Sequence, residues 1–130
     1  MKIALYGICK NEVALVKRFA ESIRGKADLV CFSDTGSTDG TQEAMRSYGF
    51  EVHDIKVEPF RFDVARNLSL SKLPDDVDIA VCPDLDDVFH EDWREIIEAN
   101  WVEGKTRFMN YPYINNWDSE DGHIPILSIL

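Results

Sequence analysis

The chain has 130 residues, enough for one domain with a real core and too few for two independent ones. Hydrophobic residues make up 45% and charged residues 29%, with 7 Gly and 5 Pro, an ordinary globular composition that excludes collagen-like and linker-like material and makes disorder a poor first expectation. Lys and Arg number 14 against 24 Asp and Glu, a net charge of −10 that repels phosphate backbones and anionic lipid, so general nucleic-acid binding is not expected. An anionic ligand would need a local source of attraction. No run approaches the roughly eighteen apolar residues of a membrane span, and the first residues lack the basic-then-apolar layout of a signal peptide, so a cytoplasmic protein is expected. Cys9, Cys31 and Cys82 have no metal-type spacing and read as buried reduced thiols.

Lys2 to Ile8 is short and mostly apolar, which predicts a buried strand. Asn11 is placed to cap a helix whose apolar stripe is Val16, Phe19, Ala20 and Ile23, ending near Gly25. Ala27 to Phe32 predicts a second strand, running into the polar loop Asp34 to Thr41. A second helix carries Ala44, Met45 and Tyr48 on one side and stops at Gly49. Phe50 to Val57 alternates like a third strand, Phe62 to Leu73 reads as a helix ended by Pro74, and Val77 to Cys82 as a fourth strand entering Pro83 to Asp87. Trp93, Ile96, Ile97 and Trp101 mark a fourth helix. Four strand-and-helix alternations predict an α/β layer fold with a largely parallel sheet, because parallel strands need crossover connections.

The last stretch breaks the rhythm. Lys105 to Ile114 looks extended, Asn115 to Gly122 looks like a polar loop, and Ile124 to Leu130 is an apolar tail. Such a tail is a covered strand, a dimer contact or the stump of a longer chain, and it tilts the expectation toward a homodimer.

Ligands of open α/β sheets bind beyond the carboxyl ends of the strands, where both polar loops fall. The first, DTGSTDGT, combines glycines, hydroxyls and carboxylates and suits a tight turn presenting amides to a ligand, or a plain turn with Asp39 and Gln42 in capping-box spacing. The second crowds Asp84, Asp86 and Asp87 into four residues. Carboxylates that close raise one another's pKa unless a cation neutralises them, and oxygen ligands without His or Cys favour Mg²⁺ or Mn²⁺. Such an ion would also draw a diphosphate to an acidic protein. The competing reading is a solvated acidic turn at a helix start.

KNE at Lys10 to Glu12, DTGSTDGT at Asp34 to Thr41, ARN at Ala65 to Asn67 and DLDD at Asp84 to Asp87, in this order and at these separations, resemble the nucleotide-sugar half of a family 2 glycosyltransferase of the GT-A fold. The resemblance covers roughly residues 1–100. It implies a single compact GT-A domain with a Rossmann-like, mostly parallel sheet flanked by helices, residues 1–100 binding the nucleotide sugar and 101–130 forming a short acceptor side. It further implies a UDP-sugar donor, Mn²⁺ or Mg²⁺, a carbohydrate or glycoconjugate acceptor, and transfer with inversion. Asp34 matches the carboxylate that meets the base, and Ile8 to Lys10 would flank that base. Arg61 or Arg66 would approach the base or the diphosphate, Asp84 and Leu85 would lie near the ribose, and Asp86 would ligate the metal. A general base is needed after the acidic motif, where Asp121, in a Glu120–Asp121 pair, and Asp118 are the candidates. His123 is a further candidate metal ligand, and Tyr111, Tyr113 and Trp117 are candidate sugar-facing rings. The alternatives are a nucleotide-sugar-binding module without transfer activity, or a half-enzyme needing a partner, since the acceptor side is short. A nucleotidyltransferase is a third reading, but CKNE is not the Gly-rich, basic phosphate loop that class usually shows.

Overall fold

The computed structural model describes residues 1–104, 109–110 and 128–129. The chain divides into two compact units, Met1–Phe89 and His90–Leu130. The first contains β1 (Ile3–Cys9), α1 (Val13–Ile23), β2 (Leu29–Asp34), α2 (Thr41–Ser47), β3 (Glu51–Asp54), α3 (Phe62–Ser71) and β4 (Ile79–Val81). These four strands form one sheet in the order β3-β2-β1-β4, and every pairing is parallel. The expected α/β architecture is therefore present. In the second unit lie α4 (Trp93–Asn100) and two short strands, β5 (Met109–Asn110) and β6 (Ser128–Ile129), which pair antiparallel. The apolar tail thus contributes a strand to the second unit.

Burial explains the element choice. Along α1 Val16, Phe19 and Ile23 of the expected stripe are buried and Ala20 is half-buried, while Lys17, Arg18 and Glu21 face solvent. Phe19 sits at the centre of the core, edge-on to Phe32 at 5.5 Å and to Phe89 at 5.9 Å between ring centroids. Each such ring contributes about 1.5–3 kcal/mol by leaving water. Gly7 in β1 is required by a close approach: a Cβ there would stand 2.8 Å from the Phe32 ring and 2.8 Å from the Pro83 carbonyl. The same residue's carbonyl accepts a buried hydrogen bond from Ser69 Oγ at 2.8 Å, which pins α3 to β1.

Several boundaries differ from expectation for identifiable reasons. β2 starts later than Ala27 and runs two residues past Phe32, so Asp34 is its last residue rather than the first of a loop. β3 keeps only four residues and no alternating burial, because it is the edge strand. β4 shrinks to three residues, since it pairs only with Ile3 to Leu5. Asn11 does not cap α1; its φ of 51° places it in the left-handed region that Asn tolerates, and Glu12 occupies the cap position without a side-chain bond. Tyr48 follows α2 and is exposed, Trp101 follows α4 in extended conformation, and Cys82 is only half-buried.

Candidate functional site

The strand order reverses direction around β1, with β2 and β3 built to one side and β4 added on the other. A crevice beyond the carboxyl ends of the strands at such a switch point is where α/β sheets bind ligands. A cavity of about 820 Å³ opens in the first unit, and every strand end contributes to it. Ile8, Cys9 and Lys10 come from the end of β1, Thr35 from the residue after β2, and Lys56, Val57 and Glu58 from beyond β3. Asp84, Leu85 and Asp86 follow β4, and Glu12, Phe60, Phe62 and Arg66 complete the wall.

The acidic side of the cavity is a tight turn. The Asp87 amide donates to the Asp84 carbonyl at 3.0 Å, and the Asp84 amide donates back to the Asp87 carboxylate at 2.8 Å. Leu85 is wholly buried and anchors the turn, while Arg18 donates to the Asp86 carbonyl at 3.0 Å from the α1 side. One carboxylate oxygen from each of Asp84, Asp86 and Asp87 lies within 4.8 Å of the others. An all-oxygen set of this charge suits Mg²⁺ or Mn²⁺, so the residues fit the divalent ion the sequence implies.

Cations face this wall. Arg66 Nη2 stands 3.8 Å from Asp84 Oδ1, and its guanidinium lies 5.9 Å from the centroid of the Phe62 ring. Both partners of the ion pair are about half exposed, so the pair adds little stability and the guanidinium can exchange Asp84 for an incoming anion. Lys10 and Lys56 are two further basic residues of the lining, the Lys56 ammonium standing 3.7 Å from Glu58 Oε2. These three cations supply the local attraction that a net charge of −10 otherwise denies an anionic ligand. Phe60 and Phe62, exposed by 48% and 64%, meet edge to face at 5.0 Å and present apolar surface beside the charges.

Glu12 enters the cavity from the turn between β1 and α1. Its carboxyl is held above the usual Glu range, first by burial and then by the negative charges of Asp86, Asp84 and Asp34, against the lowering effect of the Lys10 backbone amide. Burial and the neighbouring Asp34 likewise push the Cys9 thiol far up, so Cys9 is an inert wall residue and not a nucleophile.

Asp34, the carboxylate expected to meet the base, is the last residue of β2. It is fully buried and does not line the cavity. Its Oδ1 accepts from the Gly36 amide at 2.8 Å, the Ser37 amide at 2.7 Å and Gln42 Nε2 at 3.1 Å, while its Oδ2 accepts from the Ser37 hydroxyl and the Cys9 thiol. The loop that it folds then clasps the β1–α1 turn. Asn11 donates its amide to Ser37 Oγ and accepts from the Thr38 amide, the Glu12 amide donates to Thr41 Oγ1, and the Val13 amide donates to Asp39. The Glu12 and Val13 amides at the start of α1 are thus satisfied from the other loop, while Asn11 is engaged with Ser37 and Thr38 instead of capping the helix. Gln42 reaches back to Asp34 instead of completing a capping box.

Of the residues singled out by sequence, the structure gathers Ile8, Lys10, Arg66, Asp84, Leu85 and Asp86 around one cavity. Arg61 is not among them: it turns to Asp63, with contacts of 2.8 and 3.2 Å, at the exposed start of α3. Asp118, Glu120, Asp121, His123, Tyr111, Tyr113 and Trp117 lie outside the described residues. The sequence reading missed Glu12, Lys56 and the Phe60–Phe62 pair. Glu12 was visible inside KNE, and two aromatic residues flanking Arg61 just before a polar helix start were a usable sign of an apolar surface left in solvent.

The sequence model described as glycosyl transferase family 2 matches residues 8–120. No curated protein matches the chain. Among solved structures, one match is glucosyl-3-phosphoglycerate synthase from Mycobacterium tuberculosis, crystallised with Mn²⁺, UDP and glucosyl-3-phosphoglycerate; it is 25% identical, with a TM-score of 0.49. The match covers 64% of this chain and 33% of that one, so this chain spans about a third of that enzyme's length.

Proposed function

Since the chain belongs to the family 2 glycosyltransferases, with their GT-A, Rossmann-like fold, we propose that its cavity binds a nucleotide-diphosphate sugar, a UDP-sugar, together with Mn²⁺ or Mg²⁺. The sugar passes with inversion to a carbohydrate or glycoconjugate acceptor held on the side of residues 101–130. The observation that carries this reading is the convergence of Arg66, Lys10, Asp84 and Asp86 on one cavity at the carboxyl ends of the strands. A chain of net charge −10 gains nothing structural by facing cations and carboxylates across a crevice, whereas a diphosphate with its counter-ion needs both.

Each residue then has a physical task. Ile8 and the Phe60–Phe62 rings offer apolar surface to a planar base, and Thr35 adds a hydroxyl at the end of β2. Asp84 and Leu85 set the turn against the ribose, and Asp86, held by the Arg18 contact to its carbonyl, presents its carboxylate for metal ligation. Arg66 and Lys10 hold the diphosphate. As the acceptor hydroxyl attacks the anomeric carbon and the bond to the diphosphate oxygen breaks, negative charge grows on the leaving group, and fixed cations stabilise that state more than the one before it. A bound divalent ion supplies further charge stabilisation at the same oxygens. The acceptor proton goes to a carboxylate, for which Asp121 and Asp118 remain the candidates, with His123 as a further ligand.

Calorimetric titration with UDP, GDP, dTDP and CMP, each with Mn²⁺ and with EDTA, tests the reading without knowledge of the acceptor. Metal-dependent binding of UDP, lost in Asp86→Ala, is the expected result. Wild-type UDP affinity in that variant, or no binding of any nucleotide by folded protein, overturns it. Donor binding with no transfer to any acceptor would favour the non-catalytic module or half-enzyme.

A further inference from the structure

A second group of ligating side chains lies on the sheet itself, and none of its members lines the cavity. Parallel pairing of β2 with β3 sets Cys31 beside Glu51 and Ser33 beside His53. Residues two apart on a strand share a face, so all four side chains stand on one side of the sheet. Cys31 Sγ, a Glu51 carboxylate oxygen and a His53 ring nitrogen lie within 4.8 Å of one another. Cys31 is wholly buried, while the Glu51 and His53 side chains are 56% and 41% exposed on the edge strand, so the group has a fixed floor and an open mouth.

Two further observations bear on this group. His53 Nε2 is buried and makes no hydrogen bond; Glu51 Oε2 stands 3.7 Å away, too far for one. Ser33 Oγ, its register neighbour in a wholly buried residue, is likewise without a partner. Among the described residues these are the buried side-chain polar atoms left unsatisfied, and they fall side by side against a thiol and a carboxylate. Unpaired buried polar atoms are costly, and a missing ion or water is one of the standard reasons for them.

We propose that Cys31, Glu51 and His53 bind a zinc ion on the β2–β3 face, tying the edge strand to the sheet and leaving a fourth position to a water beside Ser33. The donor set selects the metal. Thiolate and imidazole suit zinc, whereas the all-oxygen group at Asp84 suits Mg²⁺ or Mn²⁺, so the two sites sort ions by ligand softness. Around tetrahedral zinc with bonds of about 2.0–2.3 Å, ligand atoms stand roughly 3.3–3.8 Å apart. The group therefore has to close by about 1.5 Å at most, a movement within reach of the half-exposed Glu51 and His53 side chains. As the sulfur–zinc bond forms, the Cys31 thiol proton leaves to solvent.

The test uses the full chain stripped of metal by EDTA, titrated with Co²⁺ by absorption spectroscopy and with Zn²⁺ against a chromogenic chelator. One Co²⁺ binding with a thiolate-to-cobalt charge-transfer band, displaced by Zn²⁺ and not by excess Mn²⁺, is expected. Cys31→Ser abolishes the band, and His53→Gln weakens zinc binding by more than about tenfold. His53→Gln alters a half-exposed side chain and keeps the test alive if the buried Cys31 variant fails to fold. Absence of the band in the wild-type protein, or wild-type zinc affinity in His53→Gln, overturns the proposal. UDP binding with Mn²⁺ is a separate readout, so failure here and failure of the donor-site reading are distinguishable.

Discussion

The loops that end β2 and β4 are both short acidic turns at the same edge of one sheet, yet they carry opposite burdens. Asp34 is sealed, with its two carboxylate oxygens saturated by five donors of the surrounding loop and β1. Asp84, Asp86 and Asp87 keep one oxygen each within reach of a common point, and Asp84 and Asp86 line the cavity. A carboxylate whose lone pairs are spent on its own chain suits a structural part, whereas Asp84 and Asp86, which face the cavity, are placed to meet a ligand. Burial and hydrogen bonding separate the two cases where residue type cannot.

The largest effect expected from this contrast is on stability at Asp34. Asp34→Ala leaves the Gly36 and Ser37 amides without their acceptor and loosens the clasp on the start of α1, costing about 2–4 kcal/mol. Urea unfolding reads it as a lower midpoint with an unchanged slope. Asp86→Ala, by contrast, leaves the midpoint within about 0.5 kcal/mol of wild type while metal-dependent UDP binding disappears. A stable Asp34→Ala protein that has lost UDP binding would reverse the assignment and put that carboxylate on the nucleotide.

Of smaller size is the expected difference between the two arginines. Arg66 lines the cavity beside Asp84, whereas Arg61 is committed to Asp63 at an exposed helix start. Loss of a charged hydrogen-bond partner to a diphosphate costs about 1.5–3 kcal/mol, so Arg66→Ala should weaken UDP binding by roughly tenfold to a hundredfold. Arg61→Ala should leave it within about twofold. Equal losses in both variants would mean that the start of α3 turns toward the ligand when it binds.

How much of this was written in the sequence follows from range. Val16, Phe19 and Ile23 declared their helix through spacing alone, and the apolar run of β1 declared its strand, because both patterns are local. The acidic turn at Asp84 was legible for the same reason. Asn11 was misassigned as a cap since the groups that satisfy the start of α1, Asp39 and Thr41, arrive from another loop. The choice between Arg61 and Arg66 depended on which one faced the carboxyl ends of the strands. The Cys31, Glu51 and His53 group was invisible because two adjacent strands in register create it, and cysteine spacing along the chain says nothing about that.

Glu12 belongs to both loops and gives the finest test of the contrast. Its amide is held by Thr41 of the scaffold loop, while its carboxyl feels Asp86 and Asp84 of the ligand loop. Burial is the first cause of its raised pKa, and those charges add to it. In the metal-free protein the native state therefore keeps a proton that the unfolded chain has already released. The stability this contributes is fully present below the ordinary Glu range and is lost as pH rises through the raised value. Urea midpoints of wild type should fall relative to those of Glu12→Gln as pH rises from the ordinary Glu range through the raised value, because Glu12→Gln has no proton to lose there. Mn²⁺ should narrow the gap, because a cation at Asp84 and Asp86 cancels the repulsion and lets Glu12 ionise at lower pH. Parallel pH curves for the two proteins would show that Glu12 is solvated, and a gap untouched by Mn²⁺ would place the ion away from Asp84 and Asp86.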